Sequence, residues 1–382
     1  MDCAMPPTRT ATDAGGQGGR SDGKMPVGSR SEPKGVPRSG TPVVSVKNLK
    51  THFKLDEGVV RAVDGVSFDL YPGEVVGIVG ESGCGKSITM KSILRLVQKP
   101  GRIVSGEIIY RRPAEHGDRK GKAQEIDLAK LPPQGKRMRQ VRGGDIALIP
   151  QEPMASFSPL HSIGEQIVEA IRLHNPVSKE EARKIAIGKL REVGMPSPEQ
   201  RFDSYSWQLS GGLRQRAIIA MALSCNPSVL IADEPTTAID VTTQAQVLQL
   251  LRELQEQHGS SILFITHDLG VIAQVADYVV VMYLGRVAEQ GPVQDIFHKP
   301  RHPYTRALLQ SVPSLHSEPR VALPTVSGSI PHPLQRPPGC PFHPRCPDKI
   351  PGKCDVHVPK LVAVDGGAPV ACFLHHDQVE TA

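Results

Sequence analysis

The octapeptide Gly80-Glu81-Ser82-Gly83-Cys84-Gly85-Lys86-Ser87 constrains this chain more than any other stretch. It fits G-x-x-x-x-G-K-[ST] in full and lies between a strand pattern and a helix pattern. Before it, Val75-Val76-Gly77-Ile78-Val79 is short, β-branched and apolar, as a strand covered on both faces should be. After it, residues 87–96 carry apolar side chains at three-to-four spacing, as a helix does. Such a loop turns backbone N–H groups toward phosphate oxygens, and the helix start adds the positive end of its dipole. Lys86 brings a point charge and Ser87 a hydroxyl able to ligate Mg²⁺. Residues 80–87 are therefore candidate nucleotide-binding residues.

At 382 residues the chain has room for two or three domains with a large core. The net charge of +6 is modest and the basic residues are scattered, so no nucleic-acid partner is expected. No apolar run approaches the roughly 18 to 20 residues needed to span a bilayer, and the start lacks a hydrophobic leader, so the expectation is a chain that neither spans a membrane nor is secreted. Residues 1–42 hold almost no large apolar side chain; burial there cannot offset ordering entropy, and disorder is expected. Residues 43–49 and 65–70 alternate as half-buried strands do. Phe53, between them, is suited either to stack on an adenine or to pack as an ordinary aromatic. Residues 111–142 carry ten Lys or Arg against four Asp or Glu and read as a solvated surface insertion.

Three later apolar stretches each end in a polar residue. Residues 145–150 run into Gln151, residues 228–232 into Asp233 and Glu234, and residues 261–266 into His267. In open parallel α/β sheets, ligands bind at the carboxyl ends of the strands, so these four residues are expected to converge on phosphates held by Lys86. Asp233 is suited to hold hydrated Mg²⁺ with Ser87. Glu234, one position further out, can polarise a water against a γ-phosphate. His267 can bond that phosphate or fix Glu234, and Gln151 can reach Mg²⁺ or the water. Phosphoryl transfer asks mainly for positioning and charge stabilisation, so the set suffices for hydrolysis, with Glu234 and His267 as its catalytic pair.

A second helix start follows Leu209-Ser210-Gly211-Gly212-Leu213-Arg214-Gln215-Arg216. Ser210, Gly211 and Gly212 leave bare N–H groups there, a second anion site in one chain. Taken in order over about residues 43–300, these stretches resemble the ATP-binding subunit of an ABC transporter. The family's Walker A matches residues 80–87, its Q-loop Gln151, its signature residues 209–213 and its Walker B residues 230–234. Its D-loop matches Ala238-Ile239-Asp240 and its switch histidine His267. Leu213 and Ile239 depart from the commoner Gln and Leu, and Phe53 matches the adenine-stacking position only loosely. The resemblance implies an α/β, ABC-type P-loop NTPase with a mainly parallel core sheet, an antiparallel β subdomain and an α-helical subdomain at about 152–225. It also implies ATP and Mg²⁺ as cofactors. In that family the signature of one subunit closes over ATP held by the Walker A of another, so Ser210, Gly211, Gly212 and Asp240 are expected to act across a dimer.

Pro300-Arg301-His302-Pro303-Tyr304-Thr305-Arg306-Ala307-Leu308-Leu309 resembles the tail hallmark of the oligopeptide and dipeptide importer branch. That branch also carries nickel chelates and sugars, which stay open beside peptides. The implied protein is a peripheral Mg-ATPase on the cytoplasmic face of the cell membrane. Its partners would be a second ATPase subunit, identical or different, two transmembrane permease subunits and an extracytoplasmic substrate-binding protein. Residues 301–382 form an extension that beyond the hallmark is Pro-rich and weakly patterned, and no core is expected in the roughly thirty residues that carry its four cysteines. Cys340, Cys346, Cys354 and Cys372 within it suggest that a metal organises the segment. Similar cysteines in that branch hold a [4Fe-4S] cluster; zinc and free or oxidised thiols are the other readings, with His343 and His357 as substitute ligands. A non-transport ABC ATPase would need coiled-coil insertions or two cassettes, and a non-hydrolysing module would lack Glu234 or His267.

Overall fold

Residues 66–70 alternate between buried and half-buried positions, whereas residues 44–46 are buried throughout. The computed structural model describes residues 38, 40–116, 119–120, 123–152, 156–237, 239–312, 326–364 and 366–380, all within the compact unit Gly35–Ala382. In it β1 (Val44–Leu55) and β2 (Gly58–Leu70) form an antiparallel hairpin with Val44 opposite Leu70. β3 (Val75–Val79) breaks the alternation, since every residue is buried. It delivers the chain to the phosphate loop and α1 (Lys86–Ile93). β4 (Gly101–Arg112) returns antiparallel to β1. The two-residue ladder of β5 (Glu115–His116) and β6 (Arg119–Lys120) follows, and β7 (Gln124–Asp127) pairs with β4 to complete a sheet of order β2-β1-β4-β7. α2 (Lys136–Val141) closes this part.

Two expectations change here. Among the charges of residues 111–142, Ile126, Leu128, Met138 and Val141 are at most 5% exposed. The stretch is a strand, a turn and a short helix packed on the β subdomain, not a loose insertion; charge density hid four apolar anchors. The expected disordered start lies almost wholly outside the described residues. Where description begins, Arg38 bonds Glu74 at 2.6 Å and lies 3.2 Å from the centre of the Tyr278 ring. The packed domain therefore includes residues before Val43.

β8 (Ile146–Ile149) opens the second half. Helices α3 (Ile163–His174), α4 (Lys179–Glu192), α5 (Pro198–Phe202) and α6 (Gly211–Leu223) follow and share a core that includes Ile167, Ile171, Ala186, Leu190 and Ile218. A capping box starts α3: Ser162 Oγ accepts from the Glu165 N–H at 3.2 Å, and Glu165 accepts from the Ser162 N–H at 3.1 Å. Strands then alternate with helices as β9 (Val229–Asp233), α7 (Val241–His258), β10 (Ser261–Ile265), α8 (Leu269–Val275) and β11 (Tyr278–Tyr283). Parallel pairing orders five strands β11-β3-β10-β9-β8, so their carboxyl ends open on one edge. β12 (Arg286–Pro292) returns antiparallel to β11, ahead of α9 (Val293–His298) and α10 (Pro303–Gln310). The result is the mixed architecture the resemblance implies.

The extension does have a core, contrary to expectation. β13 (Val362–Ala363) pairs with β14 (Pro369–Val370), and β14 pairs with β12, extending the main sheet to eight strands among the described residues. Tyr304 is 0% and Phe342 2% exposed, and with Tyr283 they form an aromatic group with ring centroids 4.7 to 5.3 Å apart. Burying one such side chain stabilises by about 2 to 3 kcal/mol. The extension docks through a few large side chains and very short strands, which leave no periodicity for a sequence to display. No helix among the described residues is long and apolar enough to cross a membrane.

Candidate active site

Between β3 and α1 the chain bends through conformations that side chains resist. Gly85 has φ +104°, and a Cβ there would stand 2.4 Å from the Ala62 carbonyl oxygen. Gly80 has φ +149°, with the Met282 carbonyl oxygen 2.2 Å from a Cβ position. Lys86, 6% exposed, folds back across this loop and donates to Gly80 O at 2.7 Å and Glu81 O at 3.2 Å. Its ammonium is thereby held among backbone acceptors with which a phosphate oxygen would compete. Residues 80–87 line one cleft of about 780 Å³ together with Gln151, Glu234, Thr237 and His267, a volume in the range of small-molecule sites.

Ser87 Oγ donates to Asp233 Oδ1 at 3.4 Å. Asp233 is 6% exposed, and burial raises its pKa, opposed by the Ser87 bond and reinforced by the Glu234 charge. A hydroxyl beside a buried carboxylate suits a hard divalent cation, so the pair fits Mg²⁺. Glu234 adopts a left-handed φ of +46°, with its N–H bonded to Ile265 O at 2.8 Å. Such backbone costs about 1 kcal/mol or more in a residue other than glycine. Three neighbours then hold its carboxylate. Gln151 Nε2 donates to Oε2 at 2.9 Å, Thr237 Oγ1 to Oε2 at 3.1 Å, and His267 Nδ1 lies 3.0 Å from Oε1. These partners follow the ends of β8, β9 and β10. Held on both oxygens, the carboxylate has a defined orientation in which to act as a base toward a water.

Other candidates lie elsewhere. The Phe53 ring packs on β4, so close that a Cβ on Gly101 would stand 2.4 Å from it, and Phe53 is not among the residues lining the cleft. Ser210 caps α6, accepting from the Leu213 N–H at 3.4 Å. Ser210 and Gly211 are exposed, and neither they nor Gly212 line the cleft. Asp240 caps α7 by accepting from Thr243 N at 2.9 Å and Thr243 Oγ1 at 2.7 Å, bonds that lower its pKa. A Cβ on Gly212 would meet Thr243 Cγ2 at 2.9 Å, so these two helix starts adjoin. Ala238 lies outside the described residues. Within one chain the structure thus brings Lys86, Ser87, Gln151, Asp233, Glu234 and His267 together and leaves the second helix start apart.

Sequence reasoning misses Thr237, Tyr304 and Arg345. The Tyr304 hydroxyl accepts from the Glu81 N–H at 2.9 Å, and Arg345 holds the Glu81 carboxylate at 2.8 and 3.0 Å. The available signals were Tyr304 in the hallmark of residues 300–309 and an arginine directly before Cys346, neither of which names its partner.

In the extension, Cys340 and Cys372 are 9% and 8% exposed, and Cys346 and Cys354 are half-buried. Burial, helped by the neighbouring cysteines, pushes Cys340 up to about 12 and Cys372 up to about 11. The Cys340 N–H donates to Cys354 O at 2.8 Å. Burial disfavours the thiolates of Cys340, Cys346 and Cys372, a cost that a metal replacing their protons would offset. Among the described residues, however, no group of three or more His, Cys, Asp or Glu is arranged to hold a metal ion. The donor type fits a metal; the placement does not. Cys84 is buried beside Lys86 and Cys225 follows α6, both outside this group.

Two family models match the chain: ABC transporter over residues 63–237, and Oligopeptide/dipeptide transporter, C-terminal region, over residues 288–354. The chain is 46% identical over 341 residues to the Dipeptide transport ATP-binding protein DppD of Bacillus subtilis, covering 89% of this chain and 97% of that one. It is likewise 46% identical over 337 residues to the Oligopeptide transport ATP-binding protein AppD of the same organism, covering 88% and 98%. Among solved structures it is similar to the dimeric post-hydrolysis state of the ATP-binding cassette MJ0796 bound to ADP and Pi. That likeness has a TM-score of 0.55 and 27% identity, and covers 65% of this chain and 98% of that one.

Proposed function

Because this chain belongs to the ABC transporter family of ATP-binding proteins, we propose that it hydrolyses ATP to power import of dipeptides or oligopeptides, working as a peripheral subunit on the cytoplasmic face of the cell membrane. The observation that carries hydrolysis is Glu234, fixed by Gln151, Thr237 and His267 in the cleft that the phosphate loop lines. Lys86 exchanges its two backbone acceptors for phosphate oxygens. Ser87 and Asp233 hold Mg²⁺, which when bound neutralises developing charge on the phosphates. Glu234 orients the attacking water and takes its proton, while His267 and Gln151 keep that carboxylate aligned. Peptide as cargo is supported by the relatives named above and by the match of the extension.

Ser210, Gly211, Gly212 and Asp240 act on ATP held by a second ATPase subunit, identical or related in sequence. Their separation from this chain's own cleft and the dimeric cassette similar to it support that reading. The helical block faces the permease pair: Leu160 and Leu173 are 80% and 73% exposed beside a groove lined by Glu165, Glu169, Arg172 and Arg183. An external binding protein delivers the peptide. In the extension the donor type of Cys340, Cys346, Cys354 and Cys372 supports a [4Fe-4S] cluster, with zinc as the alternative, while their placement fits neither.

Uptake of radiolabelled dipeptide by cells lacking the gene, and by cells carrying Glu234→Gln, tests the transport reading. Loss of uptake in both is expected, and normal uptake in both overturns peptide as cargo. Purified Glu234→Gln should bind ATP yet lose turnover by about 100-fold or more. Replacing Cys340 and Cys346 by Ser should remove the visible absorbance and bound iron of anaerobically purified protein and leave ATP binding intact; iron that persists refutes the ligand set.

A further inference from the structure

Five N–H donors leave the guanidinium of Arg345, and each has an acceptor. Nε donates to Ser327 O at 2.9 Å. Nη1 donates to Glu81 Oε2 at 2.8 Å and to the Tyr283 hydroxyl at 3.4 Å. Nη2 donates to Glu81 Oε1 at 3.0 Å and to Val326 O at 3.1 Å. The side chain is 4% exposed. A parallel pair of charge-assisted bonds fixes the plane of the carboxylate as well as its position, which a lysine would not do.

Glu81, the second residue of the phosphate loop, is in turn fully engaged. Arg345 holds its carboxylate, the Tyr304 hydroxyl accepts from its N–H at 2.9 Å, and its carbonyl accepts from Lys86 Nζ at 3.2 Å. The lysine of the loop is thus held by the residue that the extension grips. The two tethers come from separate parts of the extension. Tyr304 belongs to α10, whereas Arg345 ends a short 3-10 turn, His343–Arg345, and directly precedes Cys346.

We propose that Arg345 is a positioning residue for nucleotide binding: through Glu81 the C-terminal extension keeps the phosphate loop in the shape that receives ATP·Mg. The proposal rests on the ATPase reading above. A loop with glycines at φ +149°, +77° and +104° has many shapes open to it. Lys86, bonded to Gly80 O and Glu81 O, would draw a loose loop inward. Anchoring Glu81 from outside removes that freedom before nucleotide arrives, so less ordering entropy opposes binding.

The test compares the full chain with Arg345→Lys, which keeps the charge and loses the fork, and Glu81→Gln, which keeps the shape and loses the charge. Titration calorimetry with ATP·Mg is paired with amide exchange at Glu81. Each single variant should bind ATP·Mg about tenfold more weakly. The double variant should be no weaker than the worse single one, and the Glu81 amide should exchange faster while β9 and β10 stay as slow as in the wild type. Unchanged affinity in both variants, with or without faster exchange, overturns the proposal and leaves the pair as a staple for the extension. Should Arg345→Lys fail to fold, Glu81→Gln decides between these outcomes alone, since that carboxylate is 22% exposed. Failure of the wild type to bind ATP·Mg defeats the ATPase reading and the proposal with it; failure of the variants to differ defeats the proposal only.

Discussion

Glu234 reads differently once its neighbours are known. Position alone, one step past a buried strand, made it a candidate base together with Gln151 and His267, because strand ends in a parallel sheet converge by geometry. Thr237 carries no such signal. It completes the grip on Oε2 at 3.1 Å, and Thr237→Val should lower kcat roughly threefold to tenfold with little change in ATP affinity, measured in steady-state ATPase assays of the assembled transporter. His302 shows the same limit. It is 3% exposed and caps α10 by accepting from the Tyr304 N–H at 3.0 Å. Burial first, then the nearby Arg306 and His375, push its pKa from 6.5 down to about 3. Between those values the unfolded chain binds a proton that the folded chain refuses. Its stabilising effect is therefore complete above about pH 6.5 and is lost as the pH falls, by about 2 kcal/mol at pH 5. Urea unfolding at pH 7 and pH 5 should show this loss, and His302→Asn, which keeps a capping side chain, should remove that part of the slope.

Elements were legible where one period ruled them. β9 and β10 each join a buried apolar run to a polar end, and α6 and α7 start at residues that cap. Residues 111–142 failed because four buried apolar residues were scattered among ten cations, a pattern that a charge count reads as surface. β13 and β14, two residues each, are too short for any period. Contacts between elements also reverse local preferences. In α3, Gly164→Ala would improve helix propensity by about 1 kcal/mol, yet a Cβ there would lie 2.2 Å from the Phe202 ring of α5. Overpacking typically costs about 1 to 3 kcal/mol, so the variant should be less stable than the wild type; a raised unfolding midpoint in urea would refute the packing account.

For the molecule as a whole, the extension belongs to the same body as the cassette. It lengthens the main sheet through β12 and β14, buries Tyr304 and Phe342 against Tyr283, and reaches the phosphate loop. A chain ending after residue 300 should expose the β12 edge and lose both tethers of Glu81. Two outcomes fit: aggregation, or ATP·Mg binding at least about tenfold weaker than in the full chain, read by light scattering and calorimetry. This dependence was hidden from sequence because its contacts join residues 223 and 264 positions apart.

The same separation sets an order in time. At roughly 5 to 20 residues per second, a ribosome adds the stretch from Glu81 to Arg345 in roughly 10 to 50 s. For that interval the phosphate loop exists without its arginine, and a message broken anywhere within it yields a chain that never gains that tether. The last portion of the gene to be read thus finishes one of the first features to be made.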